Sequence, residues 1–329
     1  MNKKYEFVEG DEKVLPNGVT VRRIRSLVFI ASTTFSPAVE VGELGGYIQS
    51  ESNLEIIVSS NAWVYGNACV SGNARVYGNA RVSGEACVSG EACVSGNARV
   101  SGNARVSGDA RVSDNARVYG DACVYGDACV LGNASVYGDT RVYGNASILG
   151  NARVSGDAWV LGNAQVRGGA CIYGDARVYG NAQVCGNAQV CGNAYVYGNA
   201  RVSNSAWVYG NASILGNARV SGDAWVYGNA QVRGGACIYG DAWVSGDALV
   251  DNNNMLFWAS KVGTESGTLT VFNTRDNSLL VTRGCFIGTP EEFLEASRKK
   301  HDSDTHEEYQ LLIKVATSRI NKARKGVLK

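Results

Sequence analysis

An all-β solenoid, with short strands wound into a parallel coil and a cap at each end, is the fold class this sequence predicts. Three observations predict it. Residues 61–252 are one six-residue unit, Asn/Asp-Ala-x-Val-x-Gly, repeated 32 times without insertion or deletion. Position two is Ala in every unit except at Thr140, and position four is always Val or Ile, so two sites of equal parity are apolar, as in a strand. Position six is Gly except at Asp114, Asn204 and Asn252. Those are the residue types that best tolerate left-handed backbone, so every unit ends in a corner.

A unit this small cannot bury its own apolar face, and neighbours must stack to share one narrow core. Ala and Val point inward. A period of six favours a three-sided coil with three units per turn, because like residues then fall into columns: Trp207, Trp225 and Trp243, or Arg81, Arg99 and Arg117. A two-sided coil with two units per turn also fits. With strands about 4.8 Å apart, 32 units would make nearly eleven turns and a rod of roughly 50 Å.

The ends lose the hexad. Residues 1–60 read as a β-rich cap, with strands at 5–8 and 19–30 around an Asn17-Gly18 turn signal. Residues 253–329 read as a small α+β cap with strands at 256–262, 268–273 and 279–287. There Thr289, Pro290 and Glu292 form a helix start, and a second helix is expected over about 305–323. The expected division is therefore 1–60, 61–252 and 253–329. A solenoid has open strand edges to hide, so capping is the plain reading of both ends.

Composition removes several function classes. Lys+Arg number 31 against 30 Asp+Glu, so bulk charge favours neither a polyanion-binding protein nor an acidic mimic. The opening residues lack an apolar signal core, and apolar runs such as 27–31 are far shorter than the roughly 20 residues of a membrane span. A soluble, cytoplasmic protein is expected, with no membrane partner. Ten cysteines follow the repeat rather than a framework spacing, so reduced thiols are expected.

Read from its aliphatic position, the unit becomes Val-x-Gly-Asn/Asp-Ala-x, which resembles the hexapeptide repeat of left-handed parallel β-helix proteins. The flanks Gly42-Glu43-Leu44-Gly45-Gly46-Tyr47-Ile48 and Gly284-Cys285-Phe286-Ile287-Gly288-Thr289 resemble phage and prophage hexapeptide-repeat proteins. The resemblance implies a left-handed coil and, from the better known members, a trimer. Those members are acyltransferases and nucleotidyltransferases. An acyltransferase of this kind would take acyl-CoA at a subunit interface and use a His as general base.

The only histidines are His301 and His306, in a charged stretch outside the coil. Solvated helix termini are their ordinary reading, and the enzyme hypothesis starts behind. Residues 145–174 and 211–240 are identical except for Leu161 against Tyr227, at an offset of eleven units. Eleven is not a multiple of three, so equivalent residues should point different ways in a coil of three units per turn. An aimed catalytic constellation would hardly survive such copying. No catalytic residue and no cofactor is assigned, acyl-CoA entering only with the enzyme alternative.

Nine cysteines, Cys69, Cys87, Cys93, Cys123, Cys129, Cys171, Cys185, Cys191 and Cys237, fall at outward positions of the repeat. Without a Cys-x-x-Cys or Cys/His cluster no metal site is expected. Residues 61–252 hold 13 Arg and 13 acids. Arg81, Arg99 and Arg117 form a candidate anion strip, with Glu91, Asp109 and Asp121 as alternative counterions. Lacking a uniform basic stripe, the chain is a poor nucleic-acid binder.

The sharper feature is aromatic. Trp207, Trp225 and Trp243, with Tyr209 and Tyr227 beside them, should point away from the core, and contiguous exposed aromatic area marks a contact. That contact would be a sugar polymer, another protein, a second copy of the chain, or Phe257 and Trp258 folded back. The sequence thus reads as a non-catalytic binding or scaffold protein, phage- or prophage-like, working in the host cytoplasm if phage-encoded. The competing readings are an acyltransferase and a phage factor that sequesters a host protein or small molecule.

Overall fold

The computed structural model describes residues 3–33 and 36–327, so Met1 and Asn2 of the opening segment lie outside the described residues. The chain forms two compact units, Met1–Gly174 and Asp175–Lys329. Within each, the hexads build the parallel solenoid that their pattern demands.

In the first unit the hexads contribute two-residue strands at positions three and four, each paired in register with the strand three hexads on: Arg81 with Arg99, Arg99 with Arg117. The alternative of two hexads per turn is thereby excluded. The backbone bonds repeat the same step, as in Cys69 N–H to the Ala86 carbonyl at 2.8 Å and Ser71 N–H to Val88 at 2.9 Å. Three parallel sheets result, one for each side of the coil. The Ala and Val/Ile side chains from both positions are fully buried between them, Val82, Val118 and Ala116 among them. Thr140, the sole departure from Ala, is also buried, and its hydroxyl is satisfied by donating to the Tyr137 carbonyl at 2.6 Å.

The corners explain position six. Gly102 has φ +69°, and a Cβ there would stand 2.9 Å from the Gly120 nitrogen one turn on. Asp114 and Asn204 hold the same region at φ +60°. The Asp114 carboxylate also accepts from the Gly132 N–H at 3.0 Å, so the substituted corner gains a tie to the next turn. Asn252 differs from the expectation. Its φ is −154°, and its side chain instead caps a 3-10 turn, Asn253–Met255, by accepting from Asn254 N–H. The hexad ends there, so no further corner is needed.

Position one adds amide ladders. Asn79 donates to Asn97, Asn97 to Asn115 and Asn115 to Asn133 through side-chain amides 2.9 to 3.0 Å apart. Each Asn both donates and accepts, which is why an uncharged residue suits a column where like residues meet every turn.

Three N-terminal strands, β1 (Tyr5–Val14), β2 (Thr20–Ser26) and β3 (Leu44–Ile48), form an antiparallel meander. β1 is longer than expected because it continues through an irregularity between Phe7 and Glu12, where Gly10 takes φ +75°. β3 then pairs parallel with Cys69–Val70, converting the meander into the first rung of the coil. Gly45 and Gly46 make this passage possible: a Cβ on Gly45 would meet Ile24 at 2.7 Å, and one on Gly46 the Ala68 carbonyl at 2.6 Å.

The second unit continues the hexads through Leu249–Val250 and then changes to a four-stranded antiparallel sheet, Leu256–Val262, Gly267–Asn273, Leu279–Arg283 and Phe286–Gly288. The single strand expected over 279–287 is broken at Gly284, which turns with φ +57°. Helices α1 (Pro290–Lys300) and α2 (Ser303–Val327) pack on this sheet through Leu269, Val271, Phe293, Tyr309, Ile313 and Ile320. Thr289 and Glu292 form the expected capping box. α2 extends beyond the expected 305–323 at both ends, because the apolar spacing marks only the face it buries. Asp302, just before it, accepts from Thr305 N–H at 2.8 Å.

Polar side chains of this sheet take over the open edge of the last turn. Thr270 accepts from Trp243 N–H at 3.1 Å and Thr282 donates to the Trp243 carbonyl at 2.8 Å. Asn273 donates to the Leu249 carbonyl at 3.1 Å. All three are buried and so replace the backbone partners that a further turn would supply. Among the described residues no helix is long and apolar enough to cross a membrane.

Candidate functional site

The aromatic columns lie within the second unit, where the strand pairing places Trp207 against Trp225 and Trp225 against Trp243. Their valine neighbours Val208, Val226 and Val244 are fully buried, so the indoles necessarily project from the opposite side of each strand. Trp207 and Trp225 stack with centroids 5.2 Å apart and planes 7° apart, Trp225 and Trp243 at 5.2 Å and 18°. Tyr209 and Tyr227 stack beside them at 4.9 Å and 2°, and Tyr209 meets Trp225 edge-on at 6.0 Å.

All five rings point outward, yet each is half-buried. The cause is the ladder itself, since both faces of Trp225 are covered by its neighbours while ring edges remain toward solvent. Burial also raises the Tyr209 phenol above its ordinary range, with Tyr227 adding to the effect. Trp258 does not fold over this column. It packs edge-on against Tyr239 at 4.3 Å, while Phe257 joins the helix-packed core.

The duplicated segment tests the facing argument directly. Trp159 is the sequence equivalent of Trp225, but its column partner is Arg141, whose guanidinium lies 4.8 Å from the ring centroid. One sequence therefore meets a guanidinium in one copy and indoles in the other. Further ring pairs, Tyr119 stacked on Tyr137 at 4.9 Å and Tyr125 tilted against Tyr143 at 5.1 Å, were legible from the same spacing at position five. Trp63 points outward like the others but is covered. It is fully buried under the N-terminal meander, edge-on to Tyr5 at 6.3 Å.

Arg81, Arg99 and Arg117 stand in register as expected, but Arg81 is only 2% exposed. It donates to the Tyr65 hydroxyl and to the Ala31 carbonyl at 2.9 Å, and burial lowers its pKa. The strip thus loses its first rung to the packing of the N-terminal cap, leaving Arg99 half-buried and Arg117 exposed. Glu91 and Asp121 accept from the amides of Asn73 and Asn103, within the position-one columns.

Two of the outward cysteines are covered by their neighbours. Cys185 is buried, and Cys69 is 3% exposed beneath Val21 and Tyr47. Cys69 and Cys87 are in register on adjacent strands. The Cys69 thiol donates to the Asn67 carbonyl at 3.3 Å, and its closeness, with Arg105 and Lys13 nearby, holds the Cys87 thiol below its ordinary range. The closeness of Cys87, with burial, pushes the Cys69 thiol up. No group of three or more metal-ligating side chains occurs among the described residues.

The histidines fall at the helix junction. His301 ends α1, with its ring 5.7 Å from that of Tyr309 and its Nδ1 3.5 Å from the Thr264 hydroxyl. His306 lies between the Ser297 hydroxyl at 3.2 Å and the Gln310 amide at 3.0 Å.

Residues 74–90, 92–108, 98–112, 110–126, 170–186, 194–210 and 218–235 match the family model described as YdcK Beta solenoid repeat. The coil is similar to that family over these segments. No curated protein matches the chain.

Proposed function

We propose that this chain is a non-catalytic binding or scaffold protein, a left-handed coil of the phage-like hexapeptide type that contacts a protein partner through its aromatic columns and the segment after them. On this reading residues 61–252 are the functional body, and 1–60 and 253–329 are its caps. The work is done in the cytoplasm, host cytoplasm if the chain is phage-encoded. One observation carries the proposal: Trp207, Trp225 and Trp243 spend their ring faces on one another and offer a row of edges beside Tyr209 and Tyr227. A sugar polymer needs free ring faces, whereas a protein surface packs against edges and excludes water between tyrosines. The first partner to test is a second copy, since the hexapeptide resemblance implies a trimer.

Sedimentation velocity on the full chain and on a Trp207→Ser, Trp225→Ser double variant tests this. The proposal expects the wild type to exceed monomer mass and the variant to return toward monomer. Equal behaviour of both would remove the aromatic face from self-assembly. The alternative, an acyltransferase using acyl-CoA at a subunit interface, has one observation in its favour, the position of His301 at the rim of a cavity in the helical segment. Acetyl-CoA turnover lost in His301→Ala would support that alternative against the scaffold reading.

A further inference from the structure

Where the antiparallel sheet meets α1, a cavity of about 120 Å³ is lined by Arg283, Lys300, His301, Phe286, Phe293 and Tyr309, among others. Arg283 is the unusual member. Its side chain is 11% exposed, Nη2 donates to the Val262 carbonyl at 3.1 Å, and Nη1 lies 3.8 Å from Glu265. Its Nε–H is buried with no partner among the described residues. A buried charged donor left unmade costs more than an exposed one, so this guanidinium has hydrogen-bonding capacity that its neighbours do not use.

The surrounding chain makes room for this group. A Cβ on Gly267 would stand 2.3 Å from Arg283 Nη1, and one on Gly263 would stand 1.9 Å from the Tyr309 hydroxyl oxygen. Side chains at either position would fill the space the guanidinium and the phenol occupy. The charge balance is also uneven. Glu265, itself 64% exposed, is shared between Arg283 and the Lys300 ammonium at 3.9 Å, leaving one cation in excess beside the His301 ring. The opposite wall is apolar, with Phe286 and Phe293 edge-on at 5.3 Å and Phe293 and Tyr309 at 5.0 Å.

We propose that this cavity binds a small monocarboxylate, its carboxylate facing the guanidinium of Arg283 and the charge of Lys300, its short alkyl end against Phe286 and Phe293. Size agrees, because a cavity of about 120 Å³ leaves room for a short-chain acid and not only for a single water. A planar carboxylate suits a guanidinium edge. Inorganic phosphate carries a similar charge but has no apolar end for the phenylalanines.

The test is an NMR titration of the full chain, whose two histidines give two sets of imidazole signals. The probes are sodium propionate, sodium phosphate and sodium chloride at matched ionic strength. Propionate should shift the His301 signal saturably, with a Kd on the order of 1 mM, and shift His306 several-fold less. Arg283→Gln should abolish the saturable shift. Should that variant fail to fold, Lys300→Gln, at a 71% exposed side chain, should weaken binding roughly tenfold without disturbing the fold. A linear shift matched by chloride, or unchanged binding in Lys300→Gln or a folded Arg283→Gln, would overturn the proposal. Phosphate binding as tight as propionate would overturn the carboxylate assignment.

Discussion

Trp225 stacks on Trp207 with the two indole planes 7° apart, three hexads separating them in the chain and one turn of coil separating them in space. The same relationship places Trp159, embedded in a nearly identical sequence, beside Arg141. Side-chain environment in this protein is decided by what lies three hexads away more than by what lies next in sequence.

A comparison of equivalent tryptophans follows from that geometry. Trp225→Ser removes two stacked indole contacts, and Trp159→Ser removes a guanidinium contact. Trp225→Ser should therefore cost about 1 kcal/mol more in urea unfolding. Near-UV circular dichroism should lose an indole–indole couplet only in the Trp225 variant.

The interior row admits no charge. Val118→Asp places a carboxylate where the wild-type side chain is fully buried between walls of Ala and Val, and should lower stability by about 4 kcal/mol or more. Arg117→Ser, at the adjacent position but exposed, should change it by less than about 0.5 kcal/mol. Thermal unfolding followed by circular dichroism reads both.

Cys87 should be the first thiol to react. Cys69 beside it, with Arg105 and Lys13 nearby, holds its pKa below the ordinary thiol range, so more of it is thiolate at pH 7 than of an ordinary cysteine. Peptide mass spectrometry after brief iodoacetamide treatment should find Cys87 labelled ahead of Cys93 and Cys123. Cys69→Ala removes the largest cause and should move the half-point of alkylation upward in pH.

Lys4 gives a pH signature. It is fully buried, its ammonium donates to the Ala62 carbonyl at 3.0 Å, and burial lowers its pKa from 10.5 to about 8. Between pH 8 and 10.5 the unfolded chain binds the proton that the folded chain has released, so this group makes stability rise with pH across that window. Tyr5, raised by burial, acts in the opposite sense once pH passes its unfolded value of 10.0: the folded chain then holds a proton the unfolded chain has lost, so stability falls. Melting temperature against pH should rise from 8 toward 10 in the wild type and lose that rise in Lys4→Met.

The coil was legible because its information is periodic: inward Ala and Val, a corner residue, and columns at every third hexad. The helix start at Thr289 was legible because a capping box is local chemistry. What escaped was set by contacts distant in sequence. Arg81 and Trp63 occupy the same hexad position as exposed residues elsewhere, and only the meander folded over them makes them buried. Likewise Arg283 carries no motif, and its unpartnered Nε–H emerges only when Gly267, Glu265 and α1 are brought around it.

The three-sided coil, on which the aromatic columns depend, is tested most directly by a spin-label distance between positions 83 and 155 of the first unit. Both labels are introduced as encoded keto amino acids so that native thiols stay unmodified. The two sites are twelve hexads apart and both half-buried on the outside of the coil. Four turns of three hexads each predict about 19 Å between the backbone sites, at about 4.8 Å per turn. A separation of about 29 Å, the length of six turns of two hexads each at the same strand spacing, would contradict the account.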